Sequence, residues 1–454
     1  MRFSWLLLVF SVSTFFRTCP SDSSLDNTEI ESADSTFYVG GIHINEPDLD
    51  KWTNTVKEVG MNTVEVTAYC KQWYWNTADI EIDTTNGLIN EIKIAESKGL
   101  NTVFISRVQL QDWYPENHFL WHGMVMPQSD SMIDEWFKKY TEFNMYWAKV
   151  CEREGVDVMV LGSEMNALAS TNPIKKLPPL YEYYEDVLTQ YEFENRIFNY
   201  EEELKERHLW VKGKENYNDV SAYITDKISA HSNWSKGVTF RDAGKRRLKK
   251  MNERRKRIKQ HWINLIAEVR TVYSGKLSYA ANFDNYQEVD FWEHLDFIGI
   301  NAYFPLRKPS KNLPKVDSMY AEFQSSWARI LDEIQVFQEE ENIEDMPIFF
   351  TELGYTNTAN STLESWAGRG FSVVGEGENE QLIIWEDQPH YPFERYLAVK
   401  ALHKMSRNHS VHLNGILYWK LTTEGYLLRE EAFGLHIYPW NDKGLQIILA
   451  SFLK

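Results

Sequence analysis

The amino-acid sequence predicts a (β/α)8 barrel with a long helical insertion after the fourth strand. Short apolar runs that resemble strands recur eight times, helical patterns lie between them, and a glycine follows several of those helices. Continuously apolar runs are typical of parallel strands that are covered on both faces. A length of 454 residues suits one such barrel with insertions.

The eight strand-like runs are short and mostly apolar throughout. They cover residues 37–44, 62–70, 101–110, 156–165, 276–284, 295–304, 346–355 and 414–421. In a barrel of this kind the carboxyl ends of all strands meet at one rim, and active sites are built there. Residues that end these runs are therefore the first candidates for function.

Helical patterns connect the runs. They cover residues 49–59, 88–98, 133–153, 261–273, 319–340 and 392–408. Asp48 and Asp130 stand where an N-cap or a first-turn acid is expected, and Gly60, Gly99 and Gly155 stand where a left-handed residue ends a helix. Strand, helix and glycine thus alternate as a βα-repeat requires.

The composition narrows the class of partner. A formal net charge of −18 opposes binding to nucleic acid or to an anionic membrane surface, because the electrostatic field of a negatively charged protein repels polyphosphate. The chain has 17 Trp and 24 Tyr residues, whose rings can stack on sugars although most must serve the core. A neutral polymer is therefore a compatible partner.

The N-terminus predicts export. A charged start and a short apolar stretch lead us to interpret residues 1–19 as a signal peptide. Cys19 offers lipid anchoring as the alternative, although the residues before it do not match the usual small-residue box of a lipoprotein. Residues 20–35 are Ser/Asp-rich and predict a disordered lead-in, which leaves residues 36–454 as the barrel domain. We expect a secreted or cell-envelope protein, in the periplasm or on the outer surface.

The gap between the fourth and fifth runs is longer than ordinary loop lengths require. We interpret residues 173–260 as an insertion. Its basic end, residues 245–259, could suggest nucleic-acid binding, but a solvated helix whose charges answer the acidic residues 181–206 is favoured. A second long loop, residues 356–391, is either a lid or a surface excursion.

Glu164 and Glu352 follow the fourth and seventh apolar runs. A carboxylate at the end of a buried strand is costly, and two of them at one rim predict two-carboxylate chemistry. A retaining glycosidase needs such carboxyls roughly 5 to 5.5 Å apart, one attacking the anomeric carbon and one protonating the departing oxygen. The pKa of the acid must be raised, whereas the nucleophile must stay ionised.

Other candidates end neighbouring runs. Tyr303 ends the sixth run and could donate its hydroxyl to the nucleophile, with packing on Pro305 as the equal alternative. Trp419 ends the eighth run, where an aromatic ring would point at the barrel mouth.

Further candidates lie in loops. Trp73, Trp75 and Trp121 follow the second and third runs, where sugar stacking and loop packing are the alternatives and packing is favoured for each ring alone. His43 lies near the end of the first run and is not part of the His-x-His pattern of metal-dependent barrels, so we expect a hydrogen-bonded wall residue and no metal site.

The chain resembles clan A glycoside hydrolases, and it is most similar to the β-mannanase family numbered 113. The resemblance lies in residues 72–75, 121–127, 161–165, 277–282, 295–306, 351–355 and 418–420, in the expected order. It implies Glu164 as the acid/base and Glu352 as the nucleophile. It also implies that Asn282, Tyr303 and Trp419 line the subsite of the cleaved sugar.

Three positions depart from the pattern of the clan. Ser163 replaces an asparagine that holds the 2-hydroxyl of the sugar in many members, and Phe283 stands where a tryptophan is expected. The third run ends in Ser106, Arg107 and Val108 rather than in a proline-containing turn. These departures bear on the identity of the sugar more than on the reaction type.

The sequence therefore predicts a retaining glycoside hydrolase that cleaves β-linked glycans, similar to an endo-β-1,4-mannanase, with an oligo- or polysaccharide substrate and no cofactor. Phosphate-binding glycine loops and a Gly-x-Ser-x-Gly elbow are missing from the sequence. The alternative is a non-catalytic carbohydrate-binding barrel protein of the cell surface, against which the presence of both glutamates argues.

Overall fold

The computed structural model describes the barrel and part of its insertion. The described residues are 36–82, 84, 87–111, 114–171, 226, 229–230, 233–234, 244–308, 313–363, 365–366, 370–374, 381–385, 389–438 and 442–454. The chain divides into the units Met1–Thr36 and Phe37–Lys454, and of the first only Thr36 is described. The predicted signal peptide, Cys19, the lead-in and residues 173–225 of the insertion lie outside the described residues.

Eight parallel strands form a closed barrel. In ring order they are β1 (Tyr38–His43), β2 (Thr63–Gln72), β4 (Asn101–Leu110), β5 (Val158–Ser163), β6 (Lys276–Asn282), β7 (Ile298–Asn301), β8 (Ile348–Leu353) and β11 (Leu413–Thr422). Strand β1 pairs with both β2 and β11, which closes the ring. The (β/α)8 barrel and all eight predicted strands are thus confirmed.

The remaining strands lie outside the ring. Strand β3 (Ile80–Ile82) pairs antiparallel with β2, and β12 (Leu435–His436) pairs parallel with β11. Strands β9 (Gly370–Val374) and β10 (Gln381–Trp385) form a separate antiparallel hairpin within the long loop that follows β8. That loop therefore carries secondary structure of its own.

Helices surround the ring. They are α1 (Leu49–Glu58), α2 (Gly87–Ser97), α3 (Asp130–Glu154), α4 (Asn166–Ala169), α5 (Gly244–Arg270), α6 (Val316–Glu341), α7 (Phe393–Ser406) and α8 (Lys443–Ser451). None of the helices that the structure describes is both long enough and apolar enough to cross a membrane.

The predicted helix ends are confirmed. The Asp48 side chain accepts a hydrogen bond from the backbone N–H of Lys51 and caps α1, while Asp130 is the first-turn acid of α3. Gly60, Gly99 and Gly155 have positive φ angles of 88°, 68° and 74°. Glycine adopts this left-handed conformation without the strain that a Cβ would cause.

Helix α5 contains the basic run, so the helical interpretation of residues 245–259 is confirmed. The expectation that the run is solvated is wrong for Arg254 and Arg255, which are each 5% exposed. Arg255 donates from Nη1 to the backbone carbonyl of Ser170, just after α4. Burial of a guanidinium requires such acceptors.

Two basic side chains of α5 pair with acids of the barrel. Arg257 donates to both carboxyl oxygens of Asp134, at 2.8 and 2.9 Å, and Lys259 lies 3.3 Å from Asp290. These acids belong to α3 and to the loop after β6, and the acidic residues 181–206 lie outside the described residues. Helix α5 is therefore fastened to the barrel by these ion pairs.

Two apolar cores hold the fold. The smaller one contains no helix residue and fills the barrel interior, with Tyr38, Phe297 and Phe349 in mutual ring contact. The larger core lies between the strands and the helices. Because side chains alternate along a strand, the inward residues that follow Val103 and Ile105 of the interior core lead to Arg107 near the barrel mouth.

Candidate active site

The two glutamates lie where the sequence places them, at the carboxyl ends of barrel strands four and seven. Glu352 is the penultimate residue of β8 and is 4% exposed. Glu164 follows β5 directly with a φ angle of 52°, and its backbone N–H donates to the carbonyl of Ala280 at 2.8 Å. A non-glycine residue in this left-handed region is uncommon and often marks a functional position.

Tyr303 contacts Glu352 as the sequence predicts. Its hydroxyl donates to Oε2 of Glu352 at 2.6 Å, and both side chains are buried. A short hydrogen bond to a charged acceptor stabilises the ionised carboxylate.

Arg107 donates a hydrogen bond to the other carboxyl oxygen of Glu352, and sequence reasoning did not predict this contact. Its Nη1 donates to Oε1 of Glu352 at 2.5 Å and to Oγ of Ser163 at 3.0 Å. Its Nη2 donates to Oε1 of Glu65, a second buried carboxyl, at 3.1 Å. The only signal for Arg107 in the sequence was that the third run ends in Ser106, Arg107 and Val108 rather than in a proline-containing turn.

Ser163 is part of a buried polar network. It accepts from Nδ2 of Asn301 at 3.2 Å, and Asn301 in turn accepts from Oγ1 of Thr351 at 2.8 Å. The side chain of Asn301 also acts to lower the pKa of Glu164. Asn301 therefore places an amide near the acid from strand β7, and sequence reasoning did not single out this residue.

His122 is the partner of Glu164 that the sequence did not reveal. Its Nε2 lies 3.4 Å from Oε2 of Glu164. The neighbouring Trp121 ring stands edge-on to His122 at 5.0 Å and covers Gly123, where an added Cβ would lie 2.2 Å from that ring. Trp121 thus packs beside a contact of the acid.

The pKa values of the two glutamates run opposite to the sequence expectation. Burial raises the pKa of Glu352 to about 7, and the charges of Glu164 and Glu65 add to this effect while Arg107 and Tyr303 oppose it. For Glu164 burial also raises the pKa, but His122, Asn301 and Arg107 outweigh it and the pKa is lowered. In the free protein a proton shared by the pair therefore favours Glu352.

Trp419 and Asn282 lie at the barrel mouth. The Trp419 ring has the guanidinium carbon of Arg107 4.8 Å and Nζ of Lys420 4.4 Å from its centroid. Such cation–π contacts order all three side chains. Asn282 ends β6 beside Asn301 of β7, so its position at the rim follows the prediction.

Trp73, Trp75 and His43 have packing contacts away from the glutamates. Trp75 is 6% exposed and belongs to the larger core, and the Trp73 ring stands edge-on to Tyr114 at 6.0 Å. His43 lies 3.2 Å from Glu91 of α2. These contacts are those of wall and loop residues, which the sequence offered as the alternative to sugar binding.

The described residues contain no group of three or more His, Cys, Asp or Glu side chains that could hold a metal ion. The groups available for chemistry at the barrel mouth are carboxylates, a guanidinium, an imidazole and a phenol. This set can move protons, attack an electrophilic carbon and orient polar groups.

The family model of Glycoside Hydrolase Family 113 matches residues 48–175 and 249–382, more than half of the chain. The chain belongs to Glycoside Hydrolase Family 113. It is therefore a glycoside hydrolase. Each matched segment contains one of the two glutamates: residues 48–175 contain Glu164, and residues 249–382 contain Glu352.

Solved structures of family 113 members share the fold. The family 113 β-mannanase AaManA from Alicyclobacillus acidocaldarius, in complex with ManMIm, is 14% identical with a TM-score of 0.56, over 92% of this chain and 98% of that one. A family 113 β-1,4-mannanase is 16% identical with a TM-score of 0.55, over 92% and 99%. A search of curated proteins found no match.

Proposed function

We propose that this glycoside hydrolase is a retaining endo-β-1,4-mannanase that works by double displacement. The observation that carries the proposal is the environment of Glu352. One carboxyl oxygen accepts from Arg107 and the other from Tyr303, while Glu164 is close enough to influence its pKa. Two donors on one buried carboxylate orient a nucleophile and oppose the rise in its pKa that burial causes.

In the first step an oxygen of Glu352 attacks the anomeric carbon of the bound sugar. The bond from that carbon to the departing oxygen breaks, and the departing oxygen takes the bond's electron pair together with the proton of Glu164. The product is a glycosyl ester on Glu352. Roughly 5 to 5.5 Å between the carboxyls suits this geometry.

In the second step water attacks the anomeric carbon while Glu164 takes a proton from it. The ester bond breaks, and its electron pair returns to Glu352 as a carboxylate. Arg107 and Tyr303 then stabilise the returning charge. Each of the two displacements inverts the configuration at the anomeric carbon, so the two together retain it.

The reactive form has its proton on Glu164, whereas the free protein favours Glu352 as the site of that proton. Contact with His122 is the largest of the influences that lower the pKa of Glu164. A bound sugar that separates His122 from Glu164 would raise the pKa of Glu164. Glu164 would then hold the proton that the reactive form requires. Proton placement is therefore coupled to substrate binding.

The substrate proposal rests on the family and on its members with β-mannanase activity in their names. Asn282, Tyr303 and Trp419 would surround the cleaved sugar, and the half-buried Trp73 and Trp121 could meet more distant sugars of a polymer. An extended neutral glycan also suits the net charge. Secretion by residues 1–19, or anchoring at Cys19, would bring the enzyme to such a polymer.

The test of the mechanism is Glu352→Gln assayed on an activated aryl β-mannoside. We expect loss of activity by a factor of about 10⁴ or more, because the nucleophile is gone. Glu424→Gln is the matched control, since Glu424 pairs with Lys51 on the surface. Hydrolysis that survives in Glu352→Gln refutes the mechanism, and an inactive parent protein favours the carbohydrate-binding alternative.

A panel of manno-, gluco- and galacto-configured oligosaccharides tests the substrate. We expect the highest kcat/KM on manno-configured chains, with internal cleavage that releases several product lengths at early times. Release of single sugars from one end would contradict endo action, and a preference for gluco-configured chains would contradict the sugar assignment.

A further inference from the structure

Glu65 lies inside the barrel behind the cluster around Glu352. It is 1% exposed, and its Oε1 accepts from Nη2 of Arg107 at 3.1 Å and from Oγ1 of Thr67 at 2.9 Å. Its Oε2 is buried and has no hydrogen-bond partner among the described residues. Such an unsatisfied carboxyl oxygen opposes folding, so stability alone gives no reason for a carboxyl group here.

Arg107 lies between two carboxyl groups. Nη1 points to Glu352 and Nη2 to Glu65, while the face of the guanidinium rests on the ring of Trp419. The charge of Lys420 also reaches Glu65, but Lys420 itself lies 3.5 Å from Glu431. One buried cation thus serves both Glu65 and Glu352.

We propose that Glu65 is a positioning residue that shares the charge of Arg107 and thereby keeps Glu352 a strong nucleophile. The inference rests on the proposed double displacement. If Arg107 neutralised Glu352 alone, the carboxylate would attack more weakly and would leave the ester more readily. Glu65 would shift this balance toward formation of the ester.

The same arrangement serves the covalent intermediate. Once Glu352 is esterified it has lost its charge, and Arg107 would become an unpaired buried cation. That state is strongly unfavourable unless a counter-ion is at hand. Glu65 is already in contact with Arg107 and would supply the missing charge, so Arg107 has a partner in every step.

Charged and polar side chains face both carboxyls. Glu352 meets the charges of Arg107, Glu164 and Glu65 and the hydroxyl of Tyr303. Burial raises the pKa of Glu65, whereas Arg107, Thr67 and Lys420 act in the opposite direction, and the charge of Glu65 also reaches Tyr69. Next to burial, the like charges of Glu164 and Glu65 raise the pKa of Glu352. Removal of the charge on Glu65 must therefore lower it.

The test is Glu65→Gln, which keeps the size of the side chain and removes its charge. We expect the acid limb of kcat/KM to move to lower pH by about one unit, as for loss of a nearby like charge. Glycosylation should slow and deglycosylation should accelerate in burst kinetics on an activated aryl glycoside. Glu424→Gln, which removes the charge of a surface carboxylate by the same substitution, should leave the acid limb in place.

A folded Glu65→Gln variant with an unmoved acid limb, or with both rate constants reduced equally, would overturn the proposal. A second measurement uses the unaltered protein with the ester trapped by a 2-deoxy-2-fluoro glycoside. We expect its crystal structure to show Arg107 on Glu65 and withdrawn from Glu352, and the reverse would overturn the proposal. If no ester forms and Glu352→Gln stays active, the proposed function fails instead.

Discussion

Arg107 and Glu352 meet across the barrel mouth although 245 positions separate them in the chain. Their strands β4 and β8 are the third and seventh of the ring and so lie opposite each other. The long side chain of Arg107 spans this width. The electrostatics of the site therefore depend on a residue from the far wall.

Arg107→Met should impair catalysis more than binding. The variant leaves Glu352 buried without its cation, so the pKa of Glu352 should rise above its present value of about 7. We expect kcat/KM at neutral pH to fall by about 10² or more and its acid limb to move to higher pH. A pH profile on an aryl glycoside checks this, and an unchanged acid limb would contradict it.

Tyr303→Phe removes one hydrogen bond from the nucleophile. We expect kcat to fall by about 10- to 10³-fold, because a donor to the carboxylate that leaves in the second step is lost. The fold should be retained, since the ring still packs against Phe433. Phe433→Leu is the control for packing, and an equal loss of kcat in both variants would speak against the role of the hydroxyl.

His122→Asn should raise the pKa of Glu164. After burial, which acts upward, the hydrogen bond and charge of His122 are the largest influences and act downward. An acid with a raised pKa stays protonated to higher pH, so the alkaline limb of kcat/KM should move upward. A pH profile measures the shift, and movement of that limb to lower pH would be the wrong sign for this arrangement.

Arg307 and Glu394 form a buried ion pair that should matter for stability. Nε of Arg307 lies 3.3 Å from Oε1 of Glu394, and their side chains are 1% and 0% exposed. Arg307→Met leaves a buried carboxylate without its cation and should lower the free energy of unfolding by about 3 to 5 kcal/mol. Denaturant unfolding checks this. The exposed pair of Arg329 and Glu333 is the control, where Arg329→Ala should cost under about 1 kcal/mol.

The fold could be predicted because its signals are local. Apolar runs and helix ends such as Asp48 and Gly155 are readable within a few residues, and the ring of strands follows from their order. The burial of Arg254 and Arg255 could not be predicted, because their acceptors Gln128 and Ser170 are far away in sequence. Charge pattern alone favoured a solvated surface there.

The candidate site was predictable in part for the same reason. Glu164, Glu352 and Tyr303 each end a recognisable strand, so their convergence follows from topology. Glu65 and Arg107 look like inward positions of ordinary strands, and only three-dimensional pairing shows that their charges meet. The reversed order of the pKa values depends on such contacts and is not visible in the sequence.

The seam between β1 and β11 closes the barrel. At that seam Gly40 lies against Leu417 on one side and Thr63 on the other, with no room for a Cβ beside the Thr63 carbonyl. The first strand of the ring thus has to wait for β11 before the barrel can close. Catalytic competence should accordingly emerge only once β11 has been synthesised, and chains that end before β11 should accumulate as open, aggregation-prone sheets.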